Sequence, residues 1–206
     1  MESAVSLAPV FVTFEGLDGS GKTTQARLLV EALRGEGRDV VLVREPGGTE
    51  LGEQIRSLLL DSARVTPWAE AALFAAARAE LVEEVIAPAL QAGRDVVCDR
   101  YIDSSLAYQG LARDLGVDRI LELNLQATRG LLPDRTFLVL VDPQVARART
   151  SQSDRIEREG DDFARAVDEG YRALAAMFPN RIVTVDGGRA AVEVAEEIHG
   201  RVRDLS

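Results

Sequence analysis

The sequence predicts an α/β protein, a five-stranded parallel sheet flanked by helices in a three-layer sandwich. Three observations carry this expectation. Short β-branched, apolar runs alternate with longer helical stretches. The runs are continuously apolar, as strands buried on both faces are. The first run leads into Gly16-Leu17-Asp18-Gly19-Ser20-Gly21-Lys22-Thr23, a complete G-x-x-x-x-G-K-T loop in the strand, loop and helix context that this motif requires.

The elements follow in order. Apolar runs at Val10–Phe14, Val40–Val43, Val96–Cys98, Phe137–Val141 and Ile182–Val185 are the expected strands. Helical patterns occupy 22–34, 51–60, 68–91, a pair within about 103–130, then 143–149, 161–177 and 189–204. No repeat, linker or break in composition divides the chain, so residues 10–206 read as one domain behind a frayed tail at 1–9. Ligands of doubly wound sheets bind beyond the carboxyl ends of the strands. Charge gathers there: Arg44-Glu45 after the second run, Asp99-Arg100 after the third and Asp142 after the fourth.

Composition narrows the function. The formal net charge of −10 repels phosphate backbones and argues against a nucleic-acid partner. The single cysteine, Cys98, excludes an internal disulfide and a multi-cysteine zinc site, and its apolar neighbours make it a small core residue. No apolar stretch is long enough to span a membrane, and residues 1–9 lack the basic start of a secretory signal, so a cytoplasmic protein is expected. The only histidine, His199, reads as a surface residue.

In the loop, Gly16, Gly19 and Gly21 let successive N–H groups, with those of Leu17, Asp18, Ser20 and Thr24, turn toward one anion. Lys22 adds a full positive charge there, and the Thr23 hydroxyl suits Mg²⁺. This arrangement binds a nucleoside triphosphate. Asp99 stands where a second magnesium-organising residue would lie. A GTPase would need an N-K-x-D guanine reader, and neither asparagine-containing segment, at Asn124 or Asn180, supplies it.

Together these segments resemble the thymidylate kinase family: Phe14-Glu15-Gly16 through Thr24, Arg44-Glu45-Pro46-Gly47-Gly48-Thr49, Phe74 with Arg78, Asp99 through Gly110, and Asp154-Arg155-Ile156-Glu157. The resemblance runs from about residue 10 to about 200. It implies a P-loop NTPase-type fold and transfer of the γ-phosphoryl of ATP to dTMP, with Mg²⁺. By position, it gives Arg44 and Arg100 the dTMP phosphate, Phe74 a stack on thymine, Arg78 a base carbonyl, and Asp18 the 3′-hydroxyl. Ser104, Ser105 and Gln109 would contact the pyrimidine edge and sugar, with Tyr108 guarding against a 2′-hydroxyl. Glu15 becomes a magnesium or water organiser behind the loop.

Gly19 occupies the place where one branch of the family carries an arginine. The bacterial-type branch, which this chain resembles, supplies that charge from a lid, here about 145–160. Arg149 and Arg155 are then the expected catalytic arginines beside Lys22 and Arg100, with Arg147 able to exchange roles with Arg149. The family is usually homodimeric, and the striped helix 68–91 is a candidate contact. Taken without the resemblance, Phe74 could extend the stripe of Leu73, Ala77, Leu81 and Val85, and Ser104 and Ser105 could cap a helix. Two other functions stay open: another pyrimidine monophosphate kinase acting on dUMP, UMP or CMP, and a nucleotide-switched regulatory ATPase.

Overall fold

The computed structural model describes residues 8–150 and 155–205, apart from the side chain of Glu157. Most of the expected tail, and Ser151 to Asp154 of the expected lid, lie outside the described residues. Five strands, β1 (Phe11–Glu15), β2 (Val40–Arg44), β3 (Asp95–Asp99), β4 (Arg135–Leu140) and β5 (Ile182–Asp186), form one sheet in the order β2-β3-β1-β4-β5. Every neighbouring pair is parallel. β1 and β3 are buried along their whole length, as their continuous hydrophobicity predicts.

Helices α1 (Lys22–Gly35) and α9 (Ala191–Arg203) cover one face, where Leu29, Leu33 and Ile198 pack with Val12, Phe14 and Phe137. The opposite face receives α3 (Pro67–Leu81) and α8 (Asp161–Met177), whose Leu81, Tyr171 and Leu174 join Phe11, Tyr101 and Leu138. Helix α2 (Glu50–Asp61) lies outside α3 and adds Ile55 and Leu59 to a smaller cluster with Ala77. Cys98 is buried in the core, and His199 is half-buried beside Glu36 rather than fully exposed.

Several boundaries differ from the sequence expectation. The 68–91 helix is three pieces: α3, a π-helical stretch Val82–Ile86, and α4 (Ala87–Gln91). Pro88 has no N–H and its ring crowds the carbonyl four residues back, so a wide turn there absorbs the conflict. The 103–130 pair resolves into α5 (Ile102–Ser105) running into a π-helical stretch Leu106–Ala112, then α6 (Val117–Ala127). Helix α7 (Pro143–Arg149) follows Asp142, whose side chain accepts from Gln144 N–H as an N-cap. Strands β1, β2, β3 and β5 each end one charged residue beyond their apolar run, because the backbone ladder continues past the apolar side chains whether the last residue is buried, as Glu15 and Asp99 are, or exposed, as Arg44 and Asp186 are.

This register builds the site. Asp99 pairs with Phe14 on one side and Arg44 on the other, so the ends of β1, β2 and β3 converge on one edge. The phosphate-type loop rises from the middle of that edge.

Candidate active site

The loop wraps its glycines around the start of α1. Gly21 is the N-cap residue at φ 101°, a left-handed conformation suited to glycine. Gly19 has φ 82°, and a Cβ there would fall 2.0 Å from the carbonyl oxygen of Ala146 on α7. An arginine at this place is therefore excluded by backbone geometry and by space. Lys22 is almost wholly buried, with Nζ 2.6 Å from Asp18 Oδ1. Thr23 Oγ1 donates to Asp99 Oδ2 at 2.5 Å, while Asp99 Oδ1 is buried without a partner among the described residues.

Arg100 closes β3 at φ 73°, a strained conformation for a side-chain-bearing residue. That turn aims its guanidinium back over the loop. Nη2 donates to Asp18 Oδ1 at 2.7 Å, Nη1 donates to Ser104 Oγ and Tyr171 Oη at 3.1 Å, and the group lies 5.4 Å from the Tyr108 ring centroid. One Asp18 oxygen thus touches both Lys22 and Arg100. Partial enclosure would raise the Asp18 pKa, but Arg100 and Lys22 outweigh it and hold the carboxyl well below the usual range.

Arg44 stands across the cavity. It donates to Pro46 O at 2.9 Å and grips both oxygens of Glu53 at 3.0 and 3.1 Å. The intervening turn has a cis Glu45–Pro46 bond. Between these arginines is a cavity of about 410 Å³, lined by Asp18, Lys22, Thr23, Arg44, Phe74, Asp99, Arg100, Ser104, Ser105, Tyr108 and Gln109. A charged edge and an aromatic wall around a cavity of this size suit a small phosphorylated ring compound.

The protein comparisons agree with this geometry. A family model described as Thymidylate kinase matches residues 14–198. The chain is 50% identical to the thymidylate kinase of Synechococcus sp. (strain JA-3-3Ab), covering 94% of this chain and 95% of that protein. It is 46% identical to the thymidylate kinase of Symbiobacterium thermophilum, covering 95% and 94%. The crystal structure of thymidylate kinase from Ehrlichia chaffeensis superposes with a TM-score of 0.76 at 33% identity, covering 97% of this chain and 99% of that one. The chain belongs to the thymidylate kinase family.

Several of the residues that the family resemblance singled out do not line that cavity. Arg78 is completely buried: it binds Glu45 through Nε at 2.7 Å, Ser105 Oγ and the Tyr101 carbonyl at 2.9 Å, and Asn124 Oδ1. Glu15 is also fully buried. It accepts from Tyr101 N–H, Ser104 N–H, Ser104 Oγ and Tyr171 Oη, so it braces the Arg100 turn from behind. Burial, and then the charge of Asp103, push its pKa up to about 7 against the opposing pull of Arg100, Ser104 and the Tyr101 N–H. Arg149 donates to Gly187 O at 3.3 Å, and Arg147 pairs with Asp161. Arg155 is drawn in against Glu70, with Nη2 to Oε2 at 2.6 Å and Nε to Leu59 O at 2.8 Å.

Sequence reasoning about this thymidylate kinase family member missed Glu53, Glu70, Asn124 and Tyr171. Glu53 carried only the ordinary signal of an acid in a helix's first turn. Tyr171 meets Glu15 across 156 residues of chain, which leaves no local signature. A second cavity, about 650 Å³, lies between α7 and α8 and shares Asp18, Tyr108 and Ile156 with the first. Among the described residues no helix is long and apolar enough to cross a membrane.

Proposed function

We propose that this chain transfers the γ-phosphoryl group of ATP to dTMP, giving dTDP and ADP. The observation that carries the reading is Asp18 Oδ1, within hydrogen-bond distance of both Lys22 Nζ and Arg100 Nη2. A donor-side lysine and an acceptor-side arginine on one atom imply two polyanions meeting at that point.

The donor triphosphate lies in the loop from Gly16 to Thr24, with Lys22 on its outer phosphates. Arg44 and Arg100 hold the acceptor phosphate, exchanging Glu53 and Asp18 for its oxygens. A planar guanidinium suits this because it donates two parallel bonds. Phe74 stacks on the base, Ser105 and Gln109 read its edge, Ser104 fixes Arg100, and Tyr108 closes the sugar side. Arg78 supports the base wall through Ser105. An acceptor oxygen attacks the γ-phosphorus as the bond to the β-γ bridging oxygen breaks. A phosphate monoester is already largely ionised near neutral pH, its second pKa being about 6, so no general base is required. Arg149 and Arg155 are the candidates to neutralise charge on the moving group, and for Arg155 this means leaving Glu70.

The unpartnered buried Oδ1 of Asp99 beside the Thr23 hydroxyl fits a magnesium site completed by nucleotide phosphates. Thr23 and Asp99 would hold Mg²⁺, which supplies charge neutralisation between the phosphates; Glu15, enclosed by four donors, supports the arrangement from behind. The family resemblance also implies a homodimer, which sedimentation velocity tests; the cytoplasmic location expected from the sequence is part of the same reading.

A coupled ADP-release assay across dTMP, dUMP, UMP and CMP tests the substrate. Turnover fastest with dTMP is expected. Equal rates with UMP would give the broader pyrimidine monophosphate kinase, and ATP hydrolysis indifferent to every acceptor would give a nucleotide-switched ATPase.

A further inference from the structure

Glu70 lies on α3, fully buried, and carries four contacts. Oε2 accepts from Arg155 Nη2 at 2.6 Å and Arg113 Nη2 at 3.2 Å; Oε1 accepts from Gln109 Nε2 at 2.8 Å and Arg113 Nε at 3.3 Å. A carboxylate paired with two guanidinium groups can only accept. The Gln109 amide must therefore turn its NH₂ toward Glu70. An amide's two ends are otherwise interchangeable in shape, so this partner decides its polarity. Gln109 lines the acceptor cavity, and no described residue donates to its Oε1.

We propose that Glu70 is a positioning residue that sets base specificity by holding Gln109 with its carbonyl oxygen, rather than its amino group, as the atom offered to a bound base. The inference rests on the dTMP-kinase reading of the cavity. A carbonyl at that place accepts from the N3–H of thymine or uracil. It meets a lone pair on N3 of cytosine, and a site built for one hydrogen-bond pattern rejects the opposite one. Uracil shares the N3–H with thymine, so Glu70 separates both from cytosine and does not separate them from each other.

Steady-state kinetics of wild type and Glu70→Gln with dTMP, dUMP and dCMP test this. The substitution keeps the side-chain volume but offers both a donor and an acceptor, freeing Gln109 to turn. The dTMP-to-dCMP ratio of kcat/KM is expected to fall on the order of 10- to 100-fold, with the dTMP-to-dUMP ratio unchanged. Loss of activity by one common factor for all three substrates would reduce Glu70 to a structural anchor of Arg155 and overturn the proposal. Should the variant fail to fold, neutron diffraction of wild type with dTMP reads the amide directly. Gln109 deuterons on Glu70 support the proposal; Oε1 toward Glu70 sinks it. A wild type showing no preference for dTMP would instead remove the underlying functional reading.

Discussion

Gly19 and Ala146 are in direct backbone apposition: a Cβ on the glycine would lie 2.0 Å from the alanine carbonyl oxygen, at φ 82°. Helix α7 thus rests on the phosphate-type loop, and the loop has no room for the arginine that another branch of the family places there. Gly19→Ala is expected to lower kcat at least ~10-fold, since the left-handed conformation alone costs on the order of 1–2 kcal/mol per side chain. Gly19→Arg should do worse rather than supply charge. Kinetics with thermal melts check both, and an active Gly19→Arg enzyme would contradict the packing argument.

Arg100 satisfies Asp18, Ser104 and Tyr171 at once from a strained backbone. Arg100→Lys retains the charge and loses the fork, so kcat/KM for dTMP should drop ~10²-fold or more, since each hydrogen bond to a charged group contributes about 1.5–3 kcal/mol. The KM for ATP should move much less. Parallel losses for both substrates would argue against an acceptor role.

Arg155 is anchored to the buried Glu70, which Arg113 also pairs. Arg155→Ala should lower kcat by ~10³ if the residue joins the transferring phosphoryl. It should also lower the melting temperature, because removing one member of a buried pair is costly, softened here by Arg113. A clear drop in melting temperature with only a few-fold loss of kcat and unchanged ATP KM would assign Arg155 to the anchor alone.

Glu15 titrates in the physiological range, with its pKa pushed from 4.5 to about 7. A raised folded-state pKa favours the fold while the carboxyl is protonated. Its stabilisation is complete below about pH 4.5 and is lost as pH rises through about 7. Denaturant melts of wild type and Glu15→Gln should therefore differ by an amount that shifts by about 3 kcal/mol in the variant's favour between pH 4.5 and 8. A pH-independent difference would show that the carboxyl stays ionised throughout.

Asp99→Asn keeps the shape of the site and removes its charge beside Thr23. The Mg²⁺ concentration for half-maximal rate is expected to rise at least ~10-fold, with less effect on the KM for dTMP. Titrating Mg²⁺ at fixed ATP measures this, and an unchanged requirement would leave the Thr23–Asp99 hydrogen bond as purely structural.

Strand positions, the parallel sheet and the place of the phosphate-type loop were legible in the residue order, because each rests on local spacing: apolar runs of strand length, and eight consecutive residues whose glycines turn the chain into α1. The clustering of Arg44, Asp99 and Arg100 was legible as well, since parallel strands send their ends to one edge. Arg78 shows where such reasoning stops. Its one-turn spacing from Phe74 is correct, yet whether it faces the cavity or the core depends on Glu45, Ser105 and Asn124, which come from three other segments.

The same division holds at Gly19. Its lack of an arginine is written in the chain, but the reason is the carbonyl of Ala146, 127 residues away, closing over the loop. Glu70 likewise carries no local mark; its reach to Gln109, Arg113 and Arg155 exists only after α3, the π-helical stretch Leu106–Ala112 and the segment holding Arg155 have packed together. Local patterning specifies elements because it acts within a few residues. Burial, amide polarity and charge pairing were decided by packing, because each depends on which distant groups share a dry space.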